Sequence, residues 1–159
     1  MYTEVALSPY EIERNKPTPS FNHSIIQANL IYEIKRGYKK RYSIASELSL
    51  DLDDWPSVPD ISLYAQRPMD LRRDVIEMTE PPLCTIEIIS PSQSINDLTA
   101  KAYSYFGHGV QSCWLVIPPL ASIYVYSSPD DYEIFTLKKD EFLHDSVLDI
   151  KIPVAEIFE

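Results

Sequence analysis

The sequence predicts an α/β fold, a mixed β-sheet with helices packed against it. Three observations predict it. Short apolar runs with strand character recur along the chain, the densest at residues 83–89 and 113–117. Between those two lies a helix-like segment carrying Asp97, Lys101 and Tyr105 at intervals of four, so the runs can lie side by side as parallel strands joined by a crossover. The remaining runs sit close enough in sequence to pair antiparallel, and an earlier segment, residues 22–37, has its own helical period.

The chain has 159 residues, which predicts one domain spanning 1–159. A chain of that length buries roughly two thirds of the surface its unfolded form exposes, enough for a core without metal or disulfide staples. Its 45% hydrophobic content is that of a globular protein. Three Gly against thirteen Pro predict stiff connections, with Pro marking element ends. The formal net charge of −10 argues against a strong non-specific grip on duplex DNA, which runs on Lys and Arg displacing counterions. A local basic strip, or a metal ion bridging carboxylates to phosphate, stays compatible with it. Cys84 and Cys113 both fall in apolar runs and read as small buried hydrophobes; two cysteines without ligand spacing give no zinc signal. No apolar run reaches ~18 residues and no basic start precedes an apolar stretch, so a soluble, cytoplasmic protein without membrane association is expected.

Taken in order, residues 1–20 form a polar segment with Pro9, Pro17 and Pro19, in which Tyr10-Glu11-Ile12 suits a short turn or helix. Residues 22–37 predict a helix from Ile25, Ile26, Leu30 and Ile34, with Asn22 or Ser24 as N-cap, Lys35 and Arg36 at the C-terminal dipole end, and Gly37 just past it. Residues 41–52 alternate as a half-buried strand with an irregularity near Ala45-Ser46, broken by Asp53-Asp54-Trp55-Pro56. Residues 57–64 are short and strand-like, with Asp60 after Pro59 at the start. The charged stretch 66–80 reads as a loop or short exposed helix. After the strand–helix–strand unit, Pro118-Pro119 ends the second strand. Residues 121–127 and 131–137 predict a hairpin turned by Ser128-Pro129-Asp130. Residues 147–152 form a further apolar run, and Pro153 suits the first turn of a terminal helix.

One acid stands inside the densest run. Glu87 lies among Ile86, Ile88 and Ile89, and strand alternation puts it on the face of Thr85 and Ile89. A carboxylate there is costly unless it pairs with a cation, so it either meets an Arg or Lys or faces a cleft. Asp60 is a second acid; by itself a Pro-Asp pair serves a turn or cap as readily as a metal. Lys101 lies one helical turn from both Asp97 and Tyr105, where an i,i+4 salt bridge on a solvated face is the plain reading. Together the three permit more: two carboxylates meeting at a cleft can hold Mg²⁺, and a nearby Lys can orient water or offset charge on phosphate.

The pattern Pro59-Asp60, then Pro82-Leu83 through Glu87-Ile88-Ile89-Ser90-Pro91-Ser92, then Asp97, Lys101, Tyr105, Gly109-Val110 and Trp114-Leu115-Val116, resembles the Uma-type (DUF820-like) family of restriction endonucleases. That family belongs to the PD-(D/E)XK nuclease superfamily, and the similarity runs from about Tyr10 to the C-terminal Pro-Val-Ala-Glu-Ile-Phe. The resemblance implies a restriction-endonuclease-like α/β/α core with a mixed central β-sheet flanked by helices. It implies hydrolysis of DNA phosphodiester bonds by metal-activated water. Asp60, Glu87 and the peptide carbonyl of Ile88 would hold Mg²⁺ or Mn²⁺, and Asp60, Glu87 and Lys101 would form the catalytic set. The superfamily's lysine usually stands two residues after the strand acid; Ile89 is there, and Lys101 matches variants in which the helix supplies it. Ser90 would orient Glu87 or a water, or serve only as a turn hydroxyl. Ile117 replaces an Asp that often follows the Trp-Leu-Val strand, and Asn15 stands where an early Gly is usual. His23 and Glu47 could lie near the same cleft, His23 more plainly as a capping or surface residue. Trp114 reads as core. DNA is the expected partner and a homodimer is compatible with it. The alternative is a nuclease-fold module that binds without catalysing, favoured by the net charge and the lost Asp.

Overall fold

The computed structural model describes residues 6–159. A six-residue helix, α1 (Pro9–Arg14), opens it, closed by a capping box in which Ser8 and Glu11 exchange side-chain and backbone hydrogen bonds. An extended link through Pro17 and Pro19 leads to α2 (Phe21–Tyr38). Its N-cap is Ser20, which accepts from the His23 N–H at 3.2 Å, and not Asn22 or Ser24, which lie inside the first turn. Gly37 is interior and not a terminator. The helix carries one residue further because the Tyr38 hydroxyl is pinned to the Lys151 backbone, accepting its N–H at 2.7 Å. Ile26, Leu30 and Ile34 face the core, whereas Ile25 lies off that stripe and is exposed.

Eleven strands follow: β1 (Tyr42–Ser46), β2 (Ser49–Leu52), β3 (Trp55–Ser57), β4 (Ile61–Ala65), β5 (Glu77–Met78), β6 (Cys84–Ile88), β7 (Ser112–Ile117), β8 (Ser122–Tyr126), β9 (Tyr132–Thr136), β10 (Phe142–Asp145) and β11 (Ile150–Pro153). The main sheet has the order β1-β4-β6-β7-β8-β9. Its one parallel pair is β6 with β7, joined through α3 (Ile95–Gly107) as the sequence predicts; the other neighbours are antiparallel. Alternation assigns the faces. Cys84, Ile86 and Ile88 of β6, with Trp114 and Val116 of β7, pack with α2, the β10–β11 hairpin and the terminal α4 (Val154–Ile157). Cys113 and Leu115, on the other face, pack with Leu98, Ala102 and Tyr105 of α3 and with Leu50 and Leu52 of β2. Burial on both faces explains why β6 and β7 read as continuous apolar runs.

The expected single strand over 41–52 is two strands. Glu47 sits at φ 53°, a left-handed kink that ends β1 and sends β2 into a separate three-stranded sheet, β3-β2-β5. Asp53 and Asp54, both at positive φ, form the two-residue turn that pairs Leu52 with Trp55. The charged stretch 66–80 is mostly loop and contributes only β5, parallel to β2. In the apolar run 147–152 the strand starts at Ile150. Its partner β10 is too short and too polar in sequence to announce itself, with only Leu143 and Asp145 buried. Asp145 fixes this hairpin to the sheet: its carboxylate accepts from Trp114 Nε1 at 2.8 Å, from Ser112 Oγ, and from the N–H groups of Val147 and Leu148. Beyond α3 the chain reverses at Gly109, φ 98°, where a Cβ would stand 3.3 Å from the Pro81 ring.

Candidate active site

Strand register brings the two acids together. The β4–β6 ladder ends at Ile61 opposite Ile86, so the next positions, Asp60 and Glu87, face each other at the end of that pair. With no β4 residue opposite it in the ladder, Ile88 gives its N–H to the Asp60 carboxylate, Oδ2, at 2.7 Å. Both acids are buried, Asp60 at 1% and Glu87 at 3% exposure, which demands partners for their charge.

Those partners come from three separate elements. From α2, His23 Nε2 lies 3.1 Å from Asp60 Oδ2. From the link before α2, Lys16 Nζ donates to Asp60 Oδ1 at 2.8 Å and to Glu47 Oε2 at 2.6 Å. From α3, Lys101 Nζ and the Tyr105 hydroxyl both reach Glu87 Oε1, each at 2.9 Å. Helical spacing of four residues makes the last two reach one atom, since they stack one turn apart on the face turned to β6. Glu47 is held by its kinked backbone. Its N–H donates to the Asp60 carbonyl at 3.1 Å, its own carbonyl accepts from Arg14 at 2.7 Å, and Gln27 bridges its side chain and the Asp60 carbonyl.

Burial acts on the two carboxylates in the same direction, yet they end apart. Burial raises Asp60, but the His23 hydrogen bond and the Lys16 charge outweigh it and hold the carboxyl below its ordinary value. For Glu87 burial prevails over the Lys101 charge, and the neighbouring Asp60 charge adds to it, so its pKa is raised. Burial lowers the Lys16 ammonium pKa, while the charges of Asp60 and Glu87 more than restore it, leaving it raised. Burial, then the Glu87 charge, pushes the Tyr105 hydroxyl well above its usual range.

Asp60, Glu87, Ile88 and Lys101 therefore meet at one end of the β4–β6 pair, and His23, Glu47 and Ser90 line the same cleft. His23 is not the capping or surface histidine that its place near a helix start suggests; it is buried against Asp60. Asp97 makes no salt bridge with Lys101: it caps α3, accepting from the Ser94 N–H, and Lys101 turns inward to Glu87. Ser90 is buried, with its N–H donating to Gln93 Oε1 at 3.0 Å. Glu33 lies away from the cleft, paired with Arg36. Trp114 is core, as read. Lys16 is the residue that sequence reasoning missed; a lysine between Asn15 and Pro17 in a polar segment carries no periodic signal.

Among the described residues no three His, Cys, Asp or Glu side chains converge closely enough to hold a metal ion by themselves. The donors that strand register brings together are the two carboxylates of Asp60 and Glu87. These are hard oxygen donors of the kind Mg²⁺ and Mn²⁺ take while keeping several waters, so the residues fit such an ion. Among the described residues, both side chains that hydrogen-bond to Glu87 do so at Oε1.

A mixed sheet flanked by helices, with paired acids and a lysine at the end of two central strands, defines a nuclease-fold protein. A solved structure, the crystal structure of a putative nuclease belonging to DUF820 from Anabaena variabilis, superposes at a TM-score of 0.77 with 25% sequence identity, covering 90% of this chain and 83% of that one. The family model Uma2, described as "Putative restriction endonuclease", matches residues 5–155, and the chain belongs to that family. No curated protein matches the chain. Among the described residues no helix is long and apolar enough to cross a membrane.

Proposed function

We propose that this protein, acting as a single nuclease-like domain, hydrolyses DNA phosphodiester bonds with Mg²⁺ or Mn²⁺ held by Asp60, Glu87 and the carbonyl of Ile88. The observation that carries this reading is the meeting of Asp60 and Glu87 at the end of β4 and β6, with Lys101 on Glu87 at 2.9 Å. A bound dication supplies an acidified water and neutralises charge on the phosphate. The chain's own residues do the rest. His23 and the Ile88 N–H fix the Asp60 carboxylate and keep it ionised. Tyr105 orients Glu87, and Lys101 stands where it can steady an attacking water or the charge that builds on phosphate. The test is cleavage of duplex and single-stranded DNA in Mg²⁺ or Mn²⁺ by the wild type, Glu87→Ala and Lys101→Ala. Loss in both variants is expected; equal cleavage by all three proteins would mark the activity as contamination.

A second reading, a nuclease-fold module that binds without cutting, has one observation in its favour. Lys16 already satisfies Asp60 Oδ1. Calorimetric titration with Mn²⁺ separates the two: heat that disappears in Asp60→Asn and Glu87→Gln supports the first reading, and no such heat supports the second.

A further inference from the structure

The Lys16 ammonium lies between the Asp60 and Glu47 carboxylates, 2.8 and 2.6 Å away, and its side chain is only 9% exposed. The charge of Glu87 acts on it as well. It thus sits in the field of three acids, where a positive ion is most stable. The cleft around it, lined by His23, Glu87 and Ser90 among others, keeps a free volume of about 10 Å³, room for about one water.

The segment that delivers this lysine is not part of the core. No apolar residue from Ala6 to Ser20 is buried. Among the described residues the segment's side-chain hydrogen bonds to the sheet converge on the site, Arg14 to the Glu47 carbonyl and Lys16 to Glu47 and Asp60, with half-buried Tyr10, Pro17 and Pro19 lining the cleft beside them. Asn15, in the left-handed conformation at φ 52°, turns the chain out of α1 and toward the cleft. A segment that buries no apolar side chain fully and is tied down largely by charged contacts opens at lower cost than a core element once those contacts are replaced.

We propose that Lys16 is a built-in counter-ion that holds the cation position closed, and that a dication enters by displacing the Lys16 ammonium and releasing residues 15–20 from the cleft. This rests on the reading of Asp60 and Glu87 as the cation-holding pair. Removing the ammonium leaves Asp60 and Glu47 in want of a positive charge, so Lys16→Met should bind a dication more tightly than the wild type.

Mn²⁺ is the probe, followed by calorimetry and by electron paramagnetic resonance of the free ion. Lys16→Met is expected to bind Mn²⁺ at least about tenfold more tightly than the wild type, the scale of losing one competing charge. Asp60→Asn in that background should abolish binding. Hydrogen exchange on the unaltered wild type gives a readout independent of how well any variant folds: saturating Mn²⁺ should speed exchange in residues 9–20 while that of β6 and β7 stays slow. Equal Mn²⁺ affinities in wild type and Lys16→Met, both lost with Asp60→Asn, would overturn the counter-ion role and leave the carboxylate pair standing. Unchanged exchange in residues 9–20 at saturation would overturn it too. Absence of any Asp60-dependent Mn²⁺ binding in either protein would sink both readings.

Discussion

Asp60→Asn tests whether the buried carboxylate is held by its partners or merely tolerated. Asp60 accepts three hydrogen bonds, from Ile88 N–H and His23 at Oδ2 and from Lys16 at Oδ1. An asparagine keeps one oxygen. The backbone N–H of Ile88 cannot move away, so the oxygen stays on its side and the amide nitrogen faces the Lys16 ammonium, donor against donor. One charge-assisted bond, of about 1.5–3 kcal/mol, is then lost, and two others weaken by about 1 kcal/mol each as the carboxylate becomes neutral. Against this stands the relieved cost of burying a charge, which for buried pairs can cancel much of the gain. The balance is a loss of about 2–4 kcal/mol, which in a domain of this size lowers the melting temperature by roughly 5–15 °C. Asp60→Ala, which loses all three acceptors, should fall further. The assay is thermal and urea unfolding without added metal, run beside any cleavage assay, so that lost activity is not confused with lost fold. An Asp60→Asn protein as stable as the wild type, or more stable, would refute the reasoning, because burial cost would then outweigh the three bonds.

Further outcomes follow from other buried groups. Asp145 accepts four hydrogen bonds at no solvent exposure, and Asp145→Asn with its amide nitrogen on the Ser112 side can donate to that hydroxyl but sets its other N–H against Trp114 Nε1–H; urea unfolding should show a loss of at least about 2 kcal/mol. A smaller loss would mean that the β10–β11 hairpin is held by packing alone. Burial pushes the Cys113 thiol up to about 12, and burial with the Glu80 charge pushes the Tyr64 hydroxyl up to about 12. The folded state then keeps protons that the unfolded chain releases near pH 9 and 10, so stability should decline as pH rises from about 9 toward 12. Cys113→Ala should flatten the first part of that decline, and a thiol reagent near pH 8 should label neither buried cysteine until denaturant is added.

What could be read from the sequence was whatever periodicity expresses. Alternation along β6 placed Glu87 on the face of Thr85 and Ile89, and the spacing of four in α3 put Lys101 and Tyr105 on one face; both carry directly into the contacts on Glu87. Asp60 carried weight only beside Glu87 and Lys101 and through resemblance, because a Pro-Asp pair has no period and the register that aligns it with Glu87 is a long-range property. His23 reads first as a cap or surface residue, and Lys16 is missed, for a different reason. Near a helix start a polar residue looks like a cap, and only the finding that Ser20 takes that role frees His23 to point inward. Asp97 misled in the opposite sense, since its capping bond to the Ser94 N–H competes with the side-chain pair that its spacing from Lys101 suggests. The irregularity expected near Ala45-Ser46 falls at Glu47; that it is a left-handed kink separating two strands was not legible, because a non-glycine residue in the left-handed region leaves no compositional mark.

The position of the lysine follows from what surrounds β6. A lysine at position 89 would rise from the same face as Glu87, and there Ile89 packs against the cluster of Leu98, Tyr105 and Leu115. Placing an ammonium stem in that cluster would exchange apolar contact for a charge with little water near it. Lys101 reaches the same carboxylate from α3 while remaining 24% exposed, so its stem covers the helix face and its charge keeps access to solvent. The same helix contributes Tyr105, whose hydroxyl shares Glu87 Oε1 with the lysine and gives that oxygen a second, neutral donor. With the ammonium carried on the helix, Glu87 is paired and position 89 stays with the apolar cluster. That placement also makes the docking of α3 onto the sheet, through Leu98, Ala102 and Tyr105, a condition for assembling the site at all.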